Sequence, residues 1–254
     1  MLAIERKSEI LTILQKEKSV LVAELSQKYG VTEETIRRDL DKLEKEGYVK
    51  KTYGGAVLKQ KINEDIPFKI REKTNIVQKQ KIAKAVAQMI EDGESIMLDS
   101  SSTSLMVARN LKQYKDLTVI TNSVEVLIEL SRNKNIKVIS TGGVLRDSAL
   151  SLGGNDAENL LKKFNVDKTI LSCKGIHMEK GITESNEGEA VMKKTMRECA
   201  KETIWAIDSS KFDKISFVTF NEFKPGDKVV TENKPVDSWK KYLNEKNVQL
   251  YVSE

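Results

Sequence analysis

The 254 residues predict an α/β fold preceded by a small, mainly helical domain, and three observations carry that prediction. From about residue 76 onward, short apolar runs rich in Val and Ile alternate with stretches of helical periodicity, the rhythm of an open, mainly parallel sheet covered on both faces. The first 46 residues are helical in pattern instead, and a lysine-bearing stretch with a Gly-Gly pair follows them. Between the two lies "INEDIPFKIREKTN" (62–75), with one Pro, mixed charge and no clear period. The organisation expected is an N-terminal domain at 1–58, a linker at 59–75 and an α/β domain at 76–254.

In the N-terminal part, Ile4, Ile10, Leu11 and Leu14 form a helical stripe, "SVLV" (Ser19–Val22) is a short β-branched run, and Ala23–Tyr29 makes a second helix that Gly30 stops. Thr32 is a good N-cap for a third helix, Glu33 and Glu34 suit its positive first turn, and Gly47 ends it. With Ile36 at zero on a helical wheel, Leu40 and Leu43 fall within about 40° and define the buried stripe. Arg38, Lys42 and Lys45 point the opposite way, Arg37 sits at one edge and Thr35 at the other. A helix with a basic, Thr-containing outer face behind a short helix and a tight turn is what a helix-turn-helix needs to enter a major groove, where an Arg fork reaches guanine edges or phosphates. The same helix can equally be a solvated amphipathic one, with Glu34, Asp41, Glu44 and Glu46 pairing the basic residues.

Charge placement separates the two readings. Residues 1–61 hold 13 Lys and Arg against 10 Asp and Glu, yet Tyr48–Lys61 ("YVKKTYGGAVLKQK") has four lysines and no acid. That stretch reads as a β-ribbon turning at Gly54-Gly55, and a basic ribbon beside a basic helix is the layout of a winged helix whose wing grips phosphates. Lysines on an exposed edge strand also guard against sheet aggregation.

In the α/β part, a helix at Gln78–Glu91 precedes a strand at Glu94–Asp99. Further strands are expected at Leu117–Thr121, Ile136–Ser140, Lys168–Ser172, Thr203–Asp208, Ile215–Phe220 and Val248–Val252, with helices such as Thr103–Leu111 and Val124–Ser131 between them. Polar clusters follow the strands: "LDSSSTS" (Leu98–Ser104), "TNS" (Thr121–Ser123), "STGGVLR" (Ser140–Arg146), "CKGIH" (Cys173–His177) and "DSSKF" (Asp208–Phe212). Ligands of open α/β sheets bind beyond the carboxyl ends of the strands, so five polar turns there point to one crevice. Hydroxyls and backbone N–H groups at a helix start suit a phosphate, Gly142-Gly143 allows close backbone approach, and Lys211 supplies a positive charge. Each cluster taken singly is also an ordinary turn or N-cap.

Bulk properties narrow the function classes. A single His and two Cys, Cys173 and Cys199, without ligand-like spacing argue against a His-based metal centre, a catalytic triad and a disulfide framework; no metal or cofactor is expected. The N-terminus, "MLAIERKSEILTIL", is broken by charge, so neither signal peptide nor membrane span is expected and the chain reads as cytoplasmic. A net charge of +5 permits an anionic partner without requiring one.

The stretch "ERKSEILTILQKEKSVLVAELSQKYGVTEETIRRDLDKLEKEGYVKKTYGGA", with its core "VTEETIRRDLDKLEKEG…YGGA", resembles the N-terminal signature of the DeoR family of bacterial transcriptional regulators. The resemblance implies a winged helix-turn-helix with Thr35, Arg37 and Arg38 on the recognition helix, Arg38 facing the groove and Arg37 clamping the backbone or pairing with Asp41. The DNA-facing candidates are Thr32, Thr35, Arg37, Arg38 and Lys42, with Lys50, Lys51, Tyr53, Gly54 and Gly55 in the ribbon. Family members often have Arg where Lys51 stands; Lys keeps the charge and loses bidentate geometry.

The motifs "LDSSST", "VITNS", "STGGVLR", "GITESNEGEA" and "AIDSSKF" extend the resemblance to the family's effector domain, which is similar to ribose-phosphate isomerases. A phosphosugar effector is implied, with its phosphate near Ser100–Thr103 and Lys211 and its hydroxyls near Asn122, Gly142, Gly143 and Arg146. The candidate set is Asp99, Ser100, Ser101, Ser102, Thr103, Thr121, Asn122, Ser123, Gly142, Gly143, Arg146, Lys174 and Lys211. Ser101 stands where the family commonly has Gly, and a Cβ there is expected to narrow the phosphate nest. The isomerases carry an acidic loop where this chain has "CKGIH", and their catalytic Glu falls near Lys193, with Glu189 close by. The expected function is a DNA-binding repressor of sugar-metabolism genes, oligomeric on a symmetric operator and controlled by a sugar phosphate. The alternatives are a working phosphosugar isomerase with a fused helical domain and an RNA- or protein-binding adaptor.

Overall fold

The computed structural model describes residues 3–45, 47–58 and 66–253. The chain forms two compact units, Met1–Glu64 with Lys69–Thr74, and Asp65–Phe68 with Asn75–Glu254.

The first unit runs α1 (Ala3–Glu17), β1 (Ser19–Leu21), α2 (Val22–Tyr29), α3 (Glu33–Lys45), β2 (Val49–Thr52) and β3 (Gly55–Leu58). Gly30 ends α2 in the left-handed conformation at φ 62°, its N–H donating to Ser26 O. Gly47 closes α3 in the same way at φ 86°. Ile10, Leu11 and Leu14 of α1, Leu25 of α2 and Ile36, Leu40 and Leu43 of α3 are buried together as the wheel requires, while the Ile4 side chain lies outside the described residues. The strands form an antiparallel sheet in the order β1-β3-β2. Thr52 pairs with Gly55, so the ribbon turns at Tyr53-Gly54 and Gly55 is the first residue of the central strand. A Cβ on Gly55 would lie 2.0 Å from Val20 O, so packing against β1 requires the glycine. Residues 59–61 of the expected ribbon lie outside the described residues.

Of the expected linker, 59–65 lies outside the described residues, and Phe68–Lys73 forms a helix, α4. Pro67 stands directly before its first turn, and Phe68 and Ile70 are buried, which anchors a segment too short to show a period.

The second unit continues with α5 (Ile76–Ala87), β4 (Ser95–Leu98), α6 (Ser102–Asn110), β5 (Leu117–Thr121), α7 (Val124–Leu130) and β6 (Ile136–Ser140). A hairpin, β7 (Val144–Arg146) and β8 (Ser151–Gly153), leads to α8 (Asn155–Leu161) and β9 (Val166–Leu171). Then come β10 (Gly175–His177), β11 (Gly181–Glu184), α9 (Glu187–Glu198), β12 (Ala200–Ala206), β13 (Val218–Asn221), β14 (Lys228–Thr231), α10 (Asp237–Glu245) and β15 (Gln249–Val252). Seven strands form one sheet in the order β15-β14-β12-β9-β4-β5-β6, every neighbouring pair parallel. Strand alternation splits its side chains between two cores: Ile96, Leu98, Ile204 and Ala206 pack with α5, α6 and α7, and Met97, Leu171, Trp205 and Val229 pack with α8, α9 and α10.

One expected strand joins a different sheet. The Ile215–Phe220 run yields β13, which pairs antiparallel with β11 in a small sheet with β10. Ile215 and Phe217 are 52% and 59% exposed, which an interior parallel strand does not tolerate. Its place in the large sheet goes to β14, four residues hemmed by Asp227 and Glu232. No helix among the described residues is long and apolar enough to cross a membrane.

Candidate functional site

In the first unit, Thr32 caps α3. Its Oγ1 accepts the Thr35 N–H at 3.3 Å, and the two hydroxyls are 3.0 Å apart. Arg37 and Arg38 both stand in solvent, Arg37 donating to Glu33 at 3.0 Å and Arg38 to Glu34 at 3.3 Å. Exposed pairs one turn apart are worth about 0.3–0.5 kcal/mol, so either arginine is readily surrendered to a phosphate or a base. Of the two expectations for Arg37, a clamp on the DNA backbone or a pair with Asp41, the second does not form: Asp41 takes the ammonium of Lys51, whose own N–H donates to Glu44 Oε1 at 2.8 Å. Those two bonds fasten β2 to α3, so the ribbon and the helix present one surface. Lys42 and Lys50 are exposed, and Tyr53 projects fully into solvent at the ribbon tip beside Gly54 at φ 84°. Gly55, counted among the DNA-facing candidates, is turned inward against Val20 and serves packing.

Sequence reasoning missed what fixes this helix from behind. Asp39 is buried and accepts from Arg6 Nε of α1 at 2.6 Å, with the two side chains 4% and 7% exposed. An acid three residues after Ile36, inside the apolar stripe, was the available signal.

In the second unit, parallel strand direction brings the turns after β4, β5, β6, β9 and β12 to one edge of the sheet. Asp99 organises the first and the fourth of these: its carboxylate accepts from Ser101 N at 3.0 Å, Ser104 Oγ at 2.6 Å and Ser172 N at 2.9 Å. Ser101 caps α6, accepting from Ser104 N at 3.0 Å, and its φ of −75° and ψ of 151° are ordinary extended values that do not call for glycine. Thr121 Oγ1 donates to Leu98 O at 2.7 Å and accepts from Ser123 N at 3.0 Å, and Ser123 caps α7. Asp99, Ser101, Thr121 and Ser123 therefore build the turns. Ser102 and Thr103 are buried in the first turn of α6.

Asn122 is 1% exposed; its amide donates to Leu152 O at 3.2 Å, and its Oδ1 has no hydrogen-bond partner among the described residues. Gly142 and Gly143 have φ of 62° and 100°, and a Cβ on Gly143 would lie 2.4 Å from Gly153 O, so this glycine lets the hairpin close. Arg146 of that hairpin lies 3.6 Å from Glu189, which accepts from Ser100 Oγ at 2.6 Å and from Ser151 Oγ.

At the β12 end, Lys211 sits on a 3-10 turn, Ser209–Lys211, beside the buried Asp208. Burial raises the Asp208 pKa, but Lys211, the Ser210 hydrogen bond and Lys79 outweigh it and hold the group below its ordinary value. Neighbouring Cys173 is buried and its thiol is pushed up to about 12, so it is no nucleophile. Lys174 is half-buried and its charge, with that of Lys193, holds Glu184 low against the desolvation that would raise it. Lys193 bridges Glu184, lies 3.5 Å from Asp99 and donates to Ser172 O at 3.0 Å. Lys79 and Glu184 were missed, since each is a charge within a helical or strand pattern, whereas Glu189 and Lys193 were singled out only through the resemblance to the isomerases. No group of three or more His, Cys, Asp or Glu among the described residues is placed to hold a metal ion.

Comparison with known proteins gives a consistent result. The profile described as the DeoR-like helix-turn-helix domain matches residues 6–61, and that of the DeoR C terminal sensor domain matches residues 74–233. An uncharacterized HTH-type transcriptional regulator of Bacillus subtilis (strain 168), YulB, is 42% identical over 98% of this chain and 96% of its own length. A putative aga operon transcriptional repressor of Escherichia coli O157:H7 is 33% identical over 92% of this chain and 88% of its own. Among solved structures, ribose 5-phosphate isomerase A of Methanocaldococcus jannaschii matches 55% of each chain at 18% identity and a TM-score of 0.41. The outward basic face of α3 beside its ribbon, joined in one chain to these polar turns, is thus that of a DNA-binding transcriptional regulator, and the chain belongs to the DeoR family.

Proposed function

We propose that this regulator is a cytoplasmic repressor of genes for sugar metabolism, and that a sugar phosphate in the crevice sets its hold on the operator. The observation that supports the reading is the set of polar turns at the carboxyl ends of the parallel strands, which hold Lys211, the hydroxyls at the start of α6 and the open Asn122 Oδ1. An ammonium and a helix start suit a phosphate, and an amide oxygen suits a sugar hydroxyl. The repressor sense follows the named function of the Escherichia coli relative. A symmetric operator calls for a symmetric dimer or tetramer, which places two recognition helices at matched half-sites.

Binding without turnover fits the side chains present. The turn Cys173–His177 contains no carboxylate, Lys193 is held by Glu184, and both oxygens of Glu189 already accept hydroxyl protons. The isomerase alternative has one observation in its favour, the Glu189 carboxylate within the crevice. A gel shift on the chain's own promoter with glucose 6-phosphate, fructose 1-phosphate, ribose 5-phosphate and glycerol 3-phosphate tests the reading. Operator binding altered by one of them, without consumption of the sugar, is the expected result. Turnover abolished by Glu189→Gln would replace this reading with the isomerase. Binding to transcripts but not to promoter DNA at low salt would replace it with the adaptor.

A further inference from the structure

Asn75 is the residue at which the chain enters the second unit after Lys69–Thr74, which cluster with the first. Its backbone is left-handed, φ 51° and ψ 42°, a conformation that Gly, Asn and Asp accept and other residues resist. Its side chain does not cap α5. The amide donates instead to Asp208 Oδ1 at 3.2 Å and to Ser210 Oγ at 3.3 Å, both in the turn that carries Lys211. The same Asp208 oxygen accepts the Ser210 N–H at 3.2 Å and the Ser210 hydroxyl.

We propose that Asn75 is a positioning residue of the effector crevice, tying the Lys211 turn to the point where the chain passes between the two units, so that an anion bound at Lys211 is felt there. The inference rests on the crevice reading above. Its physical basis is competition for charge. Lys211 and Lys79 together compensate the Asp208 carboxylate within a buried setting. An anion that draws the Lys211 ammonium toward itself leaves that carboxylate less compensated, and Asp208 then grips its remaining donors, the Asn75 amide among them, more firmly. Ligand binding therefore tightens the Asn75 clasp, and by linkage loss of the clasp weakens both ligand affinity and the response of DNA binding to ligand.

Two variants separate the side chain from the backbone. Asn75→Gly accepts the left-handed conformation and deletes the amide; Asn75→Asp also tolerates it but sets a carboxylate against Asp208. The full-length protein is titrated onto its promoter DNA with and without the four sugar phosphates, and hydrogen exchange of residues 74–79 is followed in parallel. In the natural protein the active ligand slows exchange there and shifts DNA affinity. In Asn75→Gly that shift shrinks by about tenfold, exchange no longer responds to ligand, and Asn75→Asp behaves the same way or worse. An Asn75→Gly protein with the natural response and natural exchange overturns this inference alone. A natural protein that ignores all four ligands overturns the crevice reading and takes this inference with it.

Discussion

Substitution of Asp39 tests how the recognition helix is held. In the native unit the Arg6 guanidinium and the Asp39 carboxylate meet at 2.6 Å with side chains 7% and 4% exposed. Asp39→Ala leaves Arg6 charged, buried and without that partner, and breaking a buried pair from one side costs about 3–5 kcal/mol. A domain of this size has about 5 kcal/mol or a little more in total, so the variant's first unit stands at or near its unfolding point. Arg6→Met with Asp39→Leu removes both desolvation costs and fills the space with apolar groups, which is neutral or stabilising by up to about 4 kcal/mol. The molecule supplies its own controls. Both tryptophans, Trp205 and Trp239, are buried in the second unit, so their fluorescence follows that unit alone, whereas circular dichroism at 222 nm reports helices in both. In a urea titration of the full-length protein, Asp39→Ala moves the early dichroism transition to lower urea and leaves the fluorescence transition in place; the double variant restores the early transition. The double variant should nevertheless discriminate operator from random DNA less well, because a hydrogen-bonded pair fixes the rotation of α3 against α1 and apolar contacts are not directional. An unshifted dichroism curve for Asp39→Ala refutes the stability argument, and a double variant with the natural specificity ratio refutes the orienting role.

Other perturbations follow from the same geometry. Arg38→Ala gives up only an exposed helical pair, so folding is little affected, but loss of a bidentate base contact costs about 1–3 kcal/mol of operator affinity; an unchanged operator-to-random ratio in a competition gel shift removes Arg38 from base reading. Glu184, held below its ordinary 4.5 by Lys193 and Lys174 in spite of burial, contributes stability that is complete above about pH 4.5 and is lost as the pH falls through its lowered value. The tryptophan-monitored stability gap between the natural protein and Glu184→Gln is therefore widest at neutral pH and closes in acid; a gap that persists unchanged below that range contradicts the pairing. Gly143→Ala must adopt φ 100° and push a Cβ to within 2.4 Å of Gly153 O, so it opens the β7–β8 hairpin, read as faster hydrogen exchange at 144–153. Unaltered exchange there contradicts the packing role.

The parts legible in the sequence were those whose signal is local. Ile36, Leu40 and Leu43 are buried because one helical period places them together, and β4, β5 and β6 are read from short apolar runs at nearly their observed ends. What escaped depends on pairing at long range. Neither β14 nor β13 shows its sheet in four residues; only the register Ala206–Val230 on one side and Glu184–Val218 on the other decides between them. Charge pairing was legible only within a helix turn. Glu34 with Arg38 was within reach of the sequence, while Arg6 with Asp39 and Lys51 with Asp41 needed the folded unit. In the crevice the correct turns were found and their roles blurred, because Ser, Thr and Asp cap helices and bind phosphates with the same atoms.

That ambiguity can be resolved by asking which crevice atoms the fold already uses. Asp99 spends its carboxylate on three donors, Ser101 and Ser123 cap helices, and Thr121 both donates and accepts within the turn. Asn122 is different: one side of its amide bonds Leu152 O and the other is a buried oxygen with no partner among the described residues. The amide cannot simply turn round, since that would set its oxygen against the Leu152 carbonyl. A buried polar atom left so costs about 1–3 kcal/mol, and a fold keeps such a group when something else completes it. Asn122→Ala removes that cost and also one neutral hydrogen bond worth about 1 kcal/mol, so the ligand-free second unit should be nearly as stable as before or slightly more so. The loss appears only with ligand. A sugar hydroxyl that completed Oδ1 finds no acceptor in the variant, and the affinity for the active sugar phosphate falls by about tenfold, measured by calorimetry, while inorganic phosphate, which needs only the cationic end, binds as before. A variant that loses stability by more than the single hydrogen bond, or one that binds the sugar phosphate with natural affinity, shows that Asn122 belongs to the turn and not to the ligand.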